Sequence, residues 1–167
     1  MAAKASPEGE LEYAVDLINR VVAGIEGPIS VVHVCRGNWS TDDGVLLRGG
    51  YEELMPYLAR MQVNQFALEY ATPRAGRLEA IEALPAGKML GLGTVNPRTT
   101  TIESLEYIQE RATVAAKILG AKQVFLNPDC GFGTFADRPV SSASIASQKL
   151  RVLVQAAREL RRNESLS

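Results

Sequence analysis

Apolar positions along the chain recur with two different periods, and the two alternate. Over residues 10–25, Ala14, Ile18, Val21 and Ile25 are spaced by four, three and four, which marks one face of an amphipathic helix. Gly24 and the Gly27-Pro28 pair end it. Residues 29–34 form a β-branched apolar run that predicts a buried strand, and a polar loop follows over 36–50. The pattern then predicts a helix over 51–61, a strand over 66–70, a short helix over 78–84 and a glycine-rich strand over 89–95. Thr100-x-x-Glu103 reads as a capping box for a helix over 102–119, whose apolar face is Ile102, Leu105, Ile108, Ala112 and Leu119. Gly120 stops that helix. A fourth strand, 124–127, breaks on Pro128, and after a loop over 129–139 a last helix carries Ala146, Leu150, Leu153, Ala157 and Leu160 on one face. Residues 1–9 and 162–167 read as tails, which leaves a domain over 10–161.

One helix followed by four strand–helix units is the signature of an α/β fold. The strands read as continuous apolar runs, as parallel strands covered by helices do. The expected architecture is therefore four parallel βα units, half the count of a closed TIM-type (βα)8 barrel. Four such strands leave two open edges and a half-buried interior. A partner is expected on that ground, as a second copy forming a homodimer or as a separate chain carrying an N-terminal half-barrel.

The totals narrow the function classes. A chain of 167 residues with 46% apolar and 22% charged residues suits one soluble globular domain. A net charge of −1 with no basic block argues against a nucleic-acid or anionic-membrane surface. No apolar run approaches the ~18–20 residues of a membrane span. The polar, acidic N-terminus carries no secretory signal, so the expected location is cytoplasmic. In a reducing compartment two cysteines read as metal ligands or catalytic thiols rather than as a disulfide.

Functional groups of parallel α/β folds collect at the C-terminal ends of the strands. Those ends carry His33 and Cys35, then Glu69, then Thr94 and Asn96, then Asn127, Asp129 and Cys130. His33 and Cys35 share a face because strand side chains alternate with period two. Two thiolates, one imidazole and one carboxylate make a donor set that zinc accepts in a tetrahedral shell. Each residue also has a plainer reading. A buried cysteine packs as a small hydrophobe, Arg74 offers Glu69 a structural ion pair, and Cys130 fits a turn. Arg36 and Arg74 could grip a substrate carboxylate in bidentate fashion, or brace loops. Trp39 and Phe132 are pocket walls or loop anchors. Gly91-Leu-Gly93 lies inside a strand and makes no phosphate-binding fingerprint, which points to close packing instead. The single histidine leaves no Ser-His-Asp triad to consider.

The motifs HVCRGN, LEYATPRAG and LNPDCGFGTFADRP carry a resemblance. Across residues 13–160 the sequence resembles the C-terminal catalytic half of the cobalamin-independent methionine synthase family. The resemblance implies a (βα)8 barrel and a zinc ion bound by His33, Cys35, Glu69 and Cys130. It also implies alkylation of a small-molecule thiol, with methyl transfer from a methylated folate to homocysteine first among the reactions. A related branch joins an epoxide to coenzyme M, as 2-hydroxypropyl-coenzyme M lyase does, and a non-catalytic zinc-binding half-barrel is the further alternative. Arg36, Arg74 and Asp129 are the candidates for substrate contact, and no other residue is assigned to catalysis.

Overall fold

Four parallel strands stand side by side in chain order: β1 (Val31–Val34), β2 (Gln65–Glu69), β3 (Met89–Val95) and β4 (Val124–Pro128). The computed structural model describes residues 6–133 and 135–164. Most of residues 1–9 and half of 162–167, expected as tails, lie outside them. The register sets His33 beside Ala67, Glu69 beside Gly93, and Gly93 beside Asn127. An irregularity between Gly93 and Val95 then brings Pro128 beside Val95.

Alternation sorts the strands into two unlike faces. Phe66, Leu68, Leu90 and Leu92 point outward and are fully buried beneath Tyr51, Met55, Leu58, Leu78, Ile81 and Ala115. The other face carries Val31, His33, Ala67, Glu69, Gly91, Gly93, Phe125 and Asn127, and it is open at the sheet edges. Val31 is 50% exposed and Phe125 44%. The expected open edges are therefore at β1 and β4, where among the described residues this face is partly uncovered.

The helices differ from the periodicity in instructive places. α1 (Pro7–Val22) begins before residue 10, because Ser6 Oγ accepts from Gly9 N–H at 3.1 Å and Pro7 suits a first turn. Its buried stripe is Val15 with Ile18 and Val22, while Val21 and Ile25 are exposed. α2 is only Met55–Leu58, flanked by turns; Pro56 has no N–H to bond a carbonyl one turn back, so the helix does not start at residue 51 and the proline falls in its first turn. α3 (Leu105–Leu119) is capped by Ser104, whose Oγ accepts from Tyr107 N–H at 3.1 Å. The capping box at Thr100 and Glu103 does not form. Glu103 instead accepts from Asn96 N–H at 2.9 Å and pairs with Lys149 at 2.9 Å. That fully buried lysine belongs to α4 (Ala143–Glu164), and its Nζ also donates to the Thr101 carbonyl. The inner face of α4 is consequently Lys149, Leu153 and Ala156, and Leu150 turns to solvent. Leu153 and Ala156 join Val95, Ile108 and Phe132 in a second small core, so Phe132 is a loop anchor.

Candidate metal centre

β1 ends on a strand edge, which brings His33 and then Cys35 onto the open face. Tyr51 locks the neighbouring strand to it. Its hydroxyl accepts from Glu69 N–H at 2.9 Å and donates to the Val34 carbonyl at 3.3 Å, bridging the two strand ends. Glu69 is thereby fixed beside His33. The His33 Nδ1 lies 3.1 Å from the Ala67 carbonyl, an acceptor, so Nδ1 carries the proton and the Nε2 lone pair is free. Nε2 lies 3.8 Å from Glu69 Oε1.

Cys130 arrives from the turn after β4. Asp129 seats this turn: its N–H donates to the Val95 carbonyl at 2.8 Å, and its Oδ1 accepts from Ala71 N–H at 2.9 Å. The Asp129 side chain fits because residue 93 has no Cβ; one there would sit 2.7 Å from the Leu68 carbonyl and collide with Asp129 Oδ1. The two sulfurs then stand 3.9 Å apart. One ligand atom each from His33, Cys35, Glu69 and Cys130 falls within 4.8 Å of the others. A zinc shell with bonds of about 2.0–2.3 Å has ligand–ligand edges of roughly 3.3–3.8 Å. The cluster is thus slightly wider than a filled shell.

The donors fit a metal in a second respect. Glu69 is 1% exposed, and its Oε1 has no hydrogen-bond partner. An ionised oxygen buried this way is costly unless a cation reaches it. Burial pushes the Glu69 carboxyl above the ordinary carboxylate range. Partial burial of the Cys35 sulfur does the same to its thiol, with Cys130 and Glu69 adding repulsion. Burial thus favours the protonated form of both groups, and a divalent cation would favour the ionised one.

The other residues singled out in the sequence surround this cluster. Arg36 is buried, donates to the Gly49 and Leu47 carbonyls, and lies 5.0 Å over the Tyr51 ring. Arg74 donates to the carbonyls of Arg36 at 3.0 Å and Leu47 at 2.9 Å. Its Nη2 is 3.8 Å from Glu69 Oε2, so the ion pair is long and the guanidinium mainly braces the β1 loop. Arg36 Nη1 and Asp129 Oδ2 are buried without partners. Burial pushes the Asp129 carboxyl up to about 7, helped by the Glu69 charge. Thr94 Oγ1 is also buried and unpartnered, whereas Asn96 caps its own loop by accepting from Arg98 N–H at 3.0 Å. Trp39 meets Phe135 edge-to-face at 6.4 Å, joining the loop after β1 to the loop after β4. Gly91 and Gly93 do permit close packing; a Cβ at 91 would lie 2.6 Å from Asn127 Oδ1.

Sequence reasoning missed two residues. Asn38, 1% exposed, donates from Nδ2 to Glu69 Oε2 at 2.7 Å. Tyr51 reads from the pattern as the first apolar residue of a helix, and nothing local signals that its hydroxyl crosses two strands. For Asn38 the adjacency to Cys35 in HVCRGN was the one available signal.

Comparison with known proteins places the chain in a family. The sequence model described as cobalamin-independent synthase, catalytic domain, matches residues 14–159. The chain is 35% identical over 153 residues to the methionine synthase of Pyrococcus furiosus, covering 92% of this chain and 39% of that protein. It is 31% identical over 165 residues to the methionine synthase of Thermoplasma acidophilum, covering 88% and 43% respectively. A B12-independent methionine synthase from Shewanella sp. W3-18-1, solved in complex with selenomethionine, superposes with a TM-score of 0.76 at 25% identity. That match covers 93% of this chain and 44% of the Shewanella chain. The chain thus spans about two fifths of the length of the proteins it matches.

Proposed function

The chain belongs to the cobalamin-independent synthase family, within its catalytic domain, and from that premise we propose that it is the zinc-bearing half of a thiol methyltransferase. The reaction would be transfer of a methyl group from a methylated folate to the sulfur of homocysteine. The observation that carries this reading is the cluster of His33, Cys35, Glu69 and Cys130 around a partnerless buried Glu69 Oε1. We assign those four residues as the ligands.

When bound, zinc supplies the Lewis acidity that lowers a thiol's pKa and holds it as a nucleophilic thiolate. The chain's own residues do the rest. His33 presents Nε2 because its Nδ1–H donates to the Ala67 carbonyl. Tyr51 fixes the Glu69 backbone, and the Asp129 turn delivers Cys130. Arg36 Nη1 and Asp129 Oδ2 each keep a polar atom for a ligand, and Arg74 keeps a cationic charge behind Glu69. We assign the three to the substrate side of the site. The remainder of the barrel would come from a complementary half, in a longer polypeptide or in a second chain.

The purified protein is expected to hold about one zinc per chain, and Cys130→Ser or His33→Ala to release most of it. Full retention by both variants overturns the assignment. A structural zinc keeps a closed four-ligand shell, whereas a catalytic one accepts substrate. X-ray absorption on zinc-loaded protein mixed with homocysteine separates these: a further sulfur ligand supports the transferase, and an unchanged shell supports a structural ion.

A further inference from the structure

Asn38 stands between Arg74 and Glu69. It is 1% exposed, in the loop after β1, and its amide is pinned from both ends. Arg74 Nη2 faces Asn38 Oδ1 at 3.4 Å, and Asn38 Nδ2 donates to Glu69 Oε2 at 2.7 Å. A guanidinium has only donors, so the amide oxygen must face Arg74 and the amide nitrogen must face the carboxylate. Arg74 is itself held by the carbonyls of Arg36 and Leu47, which keeps this orientation from reversing.

The amide also separates two groups that would otherwise combine. Directly paired, an arginine and a carboxylate engage through both oxygens. Here the guanidinium stops 3.8 Å from Oε2, and the amide takes one oxygen while leaving Oε1 bare toward His33. We propose that Asn38 is a positioning residue that withholds Oε2 and thereby fixes Glu69 as a one-oxygen ligand. The inference rests on the zinc reading given above.

The test compares wild type, Asn38→Ala and Asn38→Asp in the full chain, by zinc affinity against a competing chelator and by X-ray absorption of the loaded protein. Asn38→Asp preserves size while replacing the donor with an acceptor, so it serves if Asn38→Ala fails to fold. Loss of a partner in this position typically weakens metal binding about 10–100-fold. Both variants are expected to show that loss together with an altered number of oxygen donors at the metal. A merely structural asparagine would lower the thermal stability of the metal-free protein and leave affinity and shell unchanged; that result overturns the proposal. Wild-type protein that holds no zinc overturns the zinc reading itself, which keeps the two failures apart.

Discussion

At the scale of single residues, burial sets the candidate ligand cluster against its own ionisation. Glu69, Asp129 and Cys35 all have their proton affinities raised, chiefly by burial. A carboxyl raised in the folded state binds more protons folded than unfolded, so stability falls as pH climbs from the unfolded value toward the folded one. For Asp129 that window runs from about 4 to about 7. Urea midpoints of the metal-free protein should therefore drop across it, and Asp129→Asn should flatten the profile; an unchanged slope in that variant refutes the account. Under the proposed zinc reading the sign reverses. The metal's ligands must shed their protons to bind, so affinity rises with pH, up to about tenfold per pH step for each proton released. The gathering of His33, Cys35, Glu69 and Cys130 was readable in the sequence because each lies at or just past a strand end, and period-two alternation relates His33 to Cys35. Their supports were not readable, since Asn38 and Tyr51 act through contacts that cross between strands.

At the scale of elements, the strands were more legible than the helices, and the reason is packing. β3 is paired on both sides and lies where its apolar run predicts, over Met89–Val95. Helix faces depend on what lies opposite them. α1 and α4 flank the sheet's open edges, so their apolar residues outnumber the surfaces available to bury them, and the buried stripe cannot be chosen by periodicity alone. Lys149 shows the same limit, for its burial rests on Glu103, a partner in the loop after β3. The glycines of β3 set the link from element to site. Gly93→Ala would thrust a methyl group at Asp129 and the Leu68 carbonyl, at a cost of about 1–3 kcal/mol for overpacking. Thermal unfolding should register this as a lower Tm, together with weakened zinc binding because the Asp129-Cys130 turn must shift. Gly91→Ala crowds the end of the Asn127 side chain rather than backbone and should destabilise less, while leaving zinc affinity near wild type. Equal zinc affinity in both variants would show that the turn is not seated through residue 93.

At the scale of the whole molecule, the open face and the two edges limit what can complete the barrel. α1 precedes β1 and packs beside α2, where Asn19 Oδ1 accepts from Gln62 N–H at 2.6 Å. α4 follows β4 and packs on α3, with Gln109 donating to Glu159 at 2.8 Å. Each free edge therefore already has its own helix. Two copies closed by a two-fold axis would join β4 of one to β1 of the other and bring α4 and α1 together at each seam. A (βα)8 barrel has one helix per strand, so both seams would be overfilled. In the proposed reading the better complement is a half of four strands and three helices that begins and ends on a strand. It would cover Val31 and Phe125 and the outward stripe of α1, where Val21 is 65% exposed. The chain alone is accordingly expected to bind an apolar dye. Co-expression with the barrel segment of a longer relative that this chain does not span should give a one-to-one complex by sedimentation, with the dye signal lost. A compact dimer of this chain alone that binds no dye would instead mean that the seams accommodate two helices and that a second copy is the complement.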